Sequence, residues 1–161
     1  METPQPFDTR AYRTALGNFA TGVTIVTTQH DGDVHGMTAN AFVSVSLDPP
    51  LVLVSVAHRA NLHRILQQGV TRYGVSVLAE DQEILSNHFA GSKTEGLNLP
   101  FITRLGVPLI AGAIAYFIVQ VIDAHPAGDH TLYIGRVEHF ESVDGQPLLF
   151  FGGQYRRIRE V

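Results

Sequence analysis

The hydrophobic and polar positions near the start of the chain predict an amphipathic helix. Asp8 is a favoured N-cap residue, and Phe7 and Tyr12 occupy the two positions of a hydrophobic staple. Leu16 and Phe19 then extend an apolar face at helical spacing. The segment therefore predicts a helix that begins near residue 8.

Segments rich in β-branched residues predict a series of strands after this helix. Residues 21–28 predict a strand, and Asp31-Gly32 is typical of a tight hairpin turn. The returning strand is expected to run from Val34 to Leu47, where Asp48 and two prolines end it. Residues 51–57 have the pattern of a fully buried strand.

The second half of the chain predicts two short helices and several further strands. Residues 91–112 carry two prolines and few strand signals, which indicates a long loop. Six or seven strands and three helices do not alternate regularly, which disfavours a doubly wound parallel sheet and favours a closed antiparallel barrel decorated by helices. The predicted helices are 61–69 and 80–91, and the predicted strands are 73–79, 113–125, 130–143 and 148–151.

Composition adds that this is one globular domain, residues 1–161. A chain of this length buries about 70% of its unfolded surface, enough for a core without disulfides. Hydrophobic residues make up 45% and charged residues 16%. So low a charged fraction favours a partner subunit that covers part of the apolar surface.

Charge and cysteine content exclude several classes of function. The net charge is −4 and no basic stripe is present, which argues against a nucleic-acid binder. With no cysteine, thiolate chemistry and disulfides are excluded. The first residues lack the apolar core of a signal peptide, and the run 113–119 is shorter than the about 20 residues that span a bilayer. We therefore expect a soluble, cytoplasmic protein.

Eight histidines raise the question of a metal site. His58 and His63 are five residues apart, as are His125 and His130, and neither spacing places two imidazoles on one helix face. Surface histidines, or histidines that support other residues, are the better interpretation, and we predict no metal.

The most unusual segment is "HGMTANAFVSVSLDPPLVLVSV", residues 35–56. Its first half is small and polar around Thr38, Ala39 and Asn40, so the backbone stays open to a neighbouring group. An edge or bulged strand is one explanation, and the close approach of a ligand is the other. No phosphate-binding glycine motif of the Rossmann or Walker type is present.

This segment resembles the N-terminal signature of the flavin reductase family, the reductases that supply reduced flavin to two-component monooxygenases. "LGNFATGVTIVTT" (16–28) precedes it, and "GDHTLYIGRV" (128–137) and "LLFFGGQY" (148–155) follow in the family's order. The resemblance implies a homodimeric FMN-binding split barrel, a Greek-key antiparallel barrel with flanking helices. It implies FMN or FAD as the flavin, NADH or NADPH as hydride donor, and a monooxygenase as partner.

The resemblance also implies which residues contact the flavin. Small side chains would let backbone amides approach the ring, and Ser55 and the loop after it would approach the flavin phosphate. Relatives often carry a Ser-x-Thr pair in that loop, where this chain has Arg59 and Asn61; the usual Asn before "VLA" is Ser76 here. The implied contacts are Thr38, Ala39, Asn40, Ala41, Ser55, Arg59, Asn61, Ser76 and Tyr155.

His130 matches the family's histidine beside the nicotinamide, and Tyr155 with Arg156–Arg157 resembles a tail that closes over the cofactor. The alternatives are a strand-end histidine and a solvated terminus. Two other functions stay open at this point. One is a split-barrel oxidase that holds its flavin tightly, and the other is a non-catalytic binding module.

Overall fold

The computed structural model describes residues 6–159, so the first five residues of the segment considered for a signal peptide lie outside it. The described range contains three helices, α1 (Thr9–Leu16), α2 (Asn61–Gln67) and α3 (Glu83–Phe89). It contains twelve strands: β1 (Thr21–Gly22), β2 (Thr24–His30), β3 (Asp33–Ala39), β4 (Phe42–Leu47), β5 (Pro50–Ala57), β6 (Arg72–Val77), β7 (Phe101–Arg104), β8 (Val107–Ile110), β9 (Ala115–Ala127), β10 (His130–Ser142), β11 (Leu149–Phe151) and β12 (Gln154–Arg156).

Helix α1 begins as its sequence predicts. The Asp8 carboxylate accepts hydrogen bonds from the backbone N–H groups of Arg10 (2.8 Å) and Ala11 (3.2 Å). The Phe7 and Tyr12 rings pack with centroids 5.2 Å apart, which completes the staple. The helix buries none of its residues, however, so its apolar face is exposed in the single chain.

Seven strands form one antiparallel sheet in the order β3-β2-β6-β9-β10-β5-β4. The prediction of a mainly β, antiparallel fold with flanking helices is confirmed. Hydrogen bonds do not close the sheet into a cylinder, because β3 and β4 lie at its two ends. Only the short link Asn40-Ala41 joins these end strands, so the sheet must curl to bring them together.

The predicted continuous strand from Val34 to Leu47 is therefore two strands. Its first half pairs with β2 and its second half with β5, at the two opposite edges of the sheet. At the junction Ser55 N–H donates to the Ala41 carbonyl (3.1 Å). A chain that changes partners must leave one ladder before it joins the next, and small residues at 38–41 suit that corner.

The loop predicted over residues 91–112 is wrong in its second half. Strands β7 and β8 form a hairpin there, with Leu105 and Gly106 in the turn at positive φ. Leu109 and Ile110 of β8 are completely buried. The strands have only four residues each and one contains a proline, so they gave too little pattern to be recognised in the sequence.

The main core lies inside the curled sheet. Val26, Val54, Val75 and Val119 pack there, and α2 closes one end with Leu62, Ile65 and Leu66, the inward residues that its spacing predicts. Within residues 6–159 no helix is long and apolar enough to cross a membrane. Nor do the described residues bring together three histidine or acidic side chains that could hold a metal ion.

Candidate functional site

Two concave spaces meet at Asn40, the corner of the curled sheet. The smaller has a volume of about 190 Å³ and is lined by Thr38, Asn40, Ser86 and Tyr155, among others. The larger, of about 710 Å³, is lined by Asn40 and Ala41 and by apolar residues of α1 and β4. We call these two spaces together the Asn40 groove. Four of the sequence-predicted contact residues thus line one feature.

Ser86 of α3 connects β3 to the C-terminal segment at the smaller space. Its hydroxyl is completely buried and lies 2.7 Å from the Tyr155 hydroxyl. The Thr38 hydroxyl donates to the Ser86 carbonyl at 2.6 Å. Three segments that are distant in sequence are therefore held together before any ligand binds.

Helix α3 packs closely on β3 because Gly36 has no side chain. A Cβ at this position would lie 2.7 Å from Phe89 Cε1, closer than real Cβ contacts allow. The Phe89 ring occupies that space instead. The glycine of the signature "HGMTAN" therefore brings α3, and with it Ser86, against the strand.

The turn at Asp31-Gly32 determines where the amides of β3 point. Both turn residues have positive φ, 52° and 84°, as in a two-residue type I′ hairpin turn. The pair that flanks such a turn is hydrogen-bonded, and bonding then alternates along the strand. By this alternation the N–H group of Ala39 faces β2, whereas that of Thr38 points away from it. The Thr38 amide is therefore directed outward at the sheet edge, next to the groove, and Asn40 follows at the corner where the chain leaves β2.

Ser55 lies between the groove and the strand β10 that follows the β9–β10 turn. It bonds the Ala41 carbonyl on one side and pairs with Leu132 of β10 on the other. Two residues further along, Ala57 of the same strand pairs with His130. Ala41, at the end of the small-residue run, and His130 therefore lie on the two sides of β5, two residues apart along that strand.

His130 is held by its neighbour in the turn. Its Nδ1 lies 2.6 Å from the Asp129 carboxylate, and this hydrogen bond keeps the pKa of Asp129 below its usual value. His58 supports the same turn, since its backbone N–H donates to the Asp129 carbonyl (2.9 Å) and its Nε2 lies 3.1 Å from the Thr131 hydroxyl. The His130 ring itself is 42% exposed and can reach a ligand.

Arg59 and Asn61 lie in and after the loop that follows β5. Arg59 is exposed and its positive charge contributes to the low pKa of Asp129, so it stands close to the His130 turn. The Asn61 amide is already engaged, with its Nδ2 3.1 Å from His35 and its Oδ1 accepting from Arg64 at 2.7 Å. Arg59 is therefore the better placed of the two for an anion.

Ser76 does not join the groove. It is completely buried, and its hydroxyl accepts the backbone N–H of Ile110 at 3.0 Å. The side chain thus fixes the β7–β8 hairpin to β6, so the structure gives it a role in the core and not at the ligand contact that the resemblance implied.

Sequence reasoning missed Ser86 and His58. Ser86 belongs to the pattern Gln82, Leu85, Ser86, Phe89 at i, i+3, i+4, i+7, which would have placed it on the inner face had the polar residues been included. His58 was considered only as a metal ligand. No local signal reveals that it supports a turn more than 70 residues later in the chain.

Comparison with known proteins shows the family of the chain. Residues 16–159 match the family described as "Flavin reductase like domain". An NADH-dependent flavin reductase from a Rhodococcus species is 53% identical over 149 residues, which cover 91% of this chain and 84% of that protein. The reductase component of 4-hydroxyphenylacetate 3-monooxygenase from Thermus thermophilus is 40% identical, covering 92% and 95%. The solved structure of the flavin reductase PheA2 in its native state superposes with a TM-score of 0.91 at 46% identity, covering 96% of this chain and 100% of that one.

Proposed function

Because this chain belongs to the flavin reductase family, we infer that it is an enzyme that reduces flavin with a reduced nicotinamide. The flavin is FMN or FAD, and the relatives support NADH as the donor. Its product is reduced flavin for a monooxygenase component, as the names of its relatives indicate. The single observation that carries the site assignment is the Asn40 groove.

The residues present fit a flavin. An isoalloxazine ring is a flat apolar plate edged by hydrogen-bonding groups. The larger space of the groove has a volume within the about 300–1,000 Å³ of small-molecule sites and a mainly apolar lining. The outward amide of Thr38 is a donor suited to the edge of such a ring, the Asn40 amide at the corner would be a second, and Ala39 and Ala41 keep bulk away from it. We place the ring there, with Tyr155 at the far side.

The protein contributes position more than acid–base chemistry. A bound flavin and a bound reduced nicotinamide would together supply the hydride transfer, and the protein would supply their orientation and the exclusion of water. Thr38 and Asn40 would fix the flavin edge, Ser55 and Arg59 would receive its phosphate, and His130 would bind the nicotinamide. The groove is open to solvent on one side, which suits a flavin that must leave after reduction.

We propose that the working unit is a single-domain chain in a homodimer, and that it acts in the cytoplasm, where reduced nicotinamide is made. The apolar face of α1, Phe19 shortly after that helix, and the edge strand β4 support the dimer. Phe19 is 79% exposed and Leu47 is 91% exposed, and Leu16, Phe19 and Val43 line the same space. A second copy that covers this surface would bury it and narrow the groove.

One assay tests the proposed function. Purified protein is mixed with NADH or NADPH and with FMN, FAD or riboflavin, and nicotinamide oxidation is followed at 340 nm. We expect turnover that depends on added free flavin. A protein that keeps a bound flavin through gel filtration and ignores added flavin would support the tightly held alternative, and no turnover in any combination would contradict the assignment.

The dimer is tested separately by sedimentation. The wild-type chain should sediment as a dimer, and Leu47→Glu should shift it toward monomer because a carboxylate cannot be buried in an apolar contact. Arg136→Glu, an exposed position on β10, is the matched control. A wild-type monomer at micromolar concentration would rule the dimer out.

A further inference from the structure

A third concave space opens beside the Asn40 groove, at the C-terminal segment. It has a volume of about 600 Å³ and is lined by Glu80 and by residues 155–159. Tyr155 lines both this space and the smaller part of the groove. A ligand seated in the groove could therefore extend past the Tyr155 ring into it.

The lining of this space is positively charged although the whole chain is acidic. Among residues 6–159, the lining contains three guanidinium groups, those of Arg156, Arg157 and Arg159, and one carboxylate, that of Glu80, which leaves an excess of two positive charges. Arg157 Nε lies 4.0 Å from the Glu80 carboxylate, at the limit of an ion pair. The net charge of the chain is −4, so this segment is a local exception.

Guanidinium groups recognise phosphate oxygens through paired hydrogen bonds, and a pyrophosphate diester carries two negative charges. The charge excess of the space matches that number. A concave space of this volume is also of the size that holds part of a small molecule. A partner protein with a flat surface would contact the exposed arginines but would leave this concave space unfilled.

We propose that Arg156, Arg157 and Arg159 bind the pyrophosphate of a dinucleotide whose ring lies in the Asn40 groove or against the flavin there. This assignment rests on the proposed function, and it adds to it the part of the substrate that is recognised away from the reacting rings. The nicotinamide donor contains such a pyrophosphate and is the expected source, because the flavin phosphate is assigned to Ser55 and Arg59. FAD contains a pyrophosphate too, whereas FMN does not. The experiment separates these two sources.

The central variant is the double substitution Arg156→Ala/Arg157→Ala. One arm compares FMN with FAD at saturating NADH, and the other compares NADH with reduced nicotinamide mononucleotide at saturating FMN. We expect the KM of at least one pyrophosphate-bearing compound to rise about tenfold, while the KM of its shorter counterpart stays within a factor of two. A rise for FAD assigns the subsite to the flavin, and a rise for NADH assigns it to the donor.

One further variant should change the KM in the opposite direction, and another serves as a control that should not change it. Glu80→Gln removes the opposing carboxylate and should lower the same KM about two- to threefold. Arg136→Ala removes an equally exposed arginine on β10, away from the tail, and should change none of the values. The wild-type preference should also weaken as salt rises, because the contacts are exposed.

A binding readout independent of turnover is isothermal titration with ADP, which carries the pyrophosphate without either ring. We expect binding to the wild type and Glu80→Gln, and a loss of at least fivefold in the double variant. An equal rise of KM for the long and short compounds, or unchanged ADP binding, would overturn the subsite. So would a defect seen only in transfer to a monooxygenase, which would assign the arginines to protein docking. A wild type that reduces no flavin contradicts the proposed function, and ADP binding then still tests the subsite.

Discussion

The two parts of the candidate site are held in different ways. On the groove side, Thr38 and Tyr155 both bond to Ser86, whose hydroxyl is buried. On the turn side, His130 has one carboxylate partner, and that partner, Asp129, is 94% exposed. The groove is therefore set by packing before a ligand arrives, whereas the turn presents a partly solvated side chain.

This difference separates binding from turnover. A rigid cradle favours affinity, because little ordering remains to be done when the ligand enters. A side chain at an exposed turn contributes only when the second substrate is in place. Substitutions in the groove should therefore act on the flavin dissociation constant, and substitutions at the turn should act on kcat/KM for the nicotinamide.

The largest effect is expected for His130→Ala. It should lower kcat/KM for the nicotinamide by one to two decades, about 1.4–2.8 kcal/mol of transition-state stabilisation, and leave flavin affinity unchanged. Stopped-flow reduction and flavin fluorescence titration measure the two quantities. His125→Ala on the same hairpin is the control. Unchanged rates with both NADH and NADPH would remove His130 from the reaction.

Asn40→Leu should show the opposite pattern. The added bulk and the loss of the Asn40 side-chain amide should weaken flavin binding about tenfold, while the rate at saturating flavin stays near that of the wild type. Fluorescence titration of FMN and FAD gives the dissociation constants. An unaltered dissociation constant would count against the position that we give the ring.

Ser86→Ala tests whether the groove is prepared by its internal contacts. Loss of the bond to Tyr155 should cost about 1 kcal/mol of stability and weaken flavin binding a few-fold. Tyr155→Phe removes the same bond from the other side and should match it, and the double variant should be no worse than either. Additive losses would show that the two hydroxyls act independently.

The smallest effect concerns His63, next to the turn side. Burial and the nearby His58 lower its pKa below the usual value of about 6.5, so the unfolded chain binds a proton that the folded chain resists. The fold should therefore lose stability as pH falls below about 6.5. His63→Gln should reduce this acid loss by a degree or two in Tm between pH 6.5 and 5, whereas exposed His125→Gln should not. Equal changes in the pH dependence of Tm for the two variants would contradict the role given to His63.

The sequence predicted the fold where patterns were long and local. The α1 cap, the Asp31-Gly32 turn and the inward face of α2 depend on neighbouring residues, and these predictions are confirmed. The β7–β8 hairpin was missed because its strands are short, and the break at Asn40-Ala41 because the second pairing partner lies further along the chain. The exposed face of α1 was equally invisible to periodicity, which cannot tell a core from an interface.

The candidate site also contains residues that the local sequence reveals and residues that only the fold reveals. The small residues at 38–41 stand out in the sequence because an open backbone needs them. Ser76 illustrates the opposite case, since only the fold shows that its hydroxyl serves Ile110. Ser86, which connects Thr38 and Tyr155, was likewise found only through contacts between distant segments.

The most direct test of the central assignment is a crystal structure of the chain with FMN bound. We predict the ring against the main chain of residues 38–41, with its edge bonded to the Thr38 and Asn40 amides and one face open toward His130. Flavin density elsewhere on the molecule, or an Asn40 groove filled by the protein's own side chains, would contradict it.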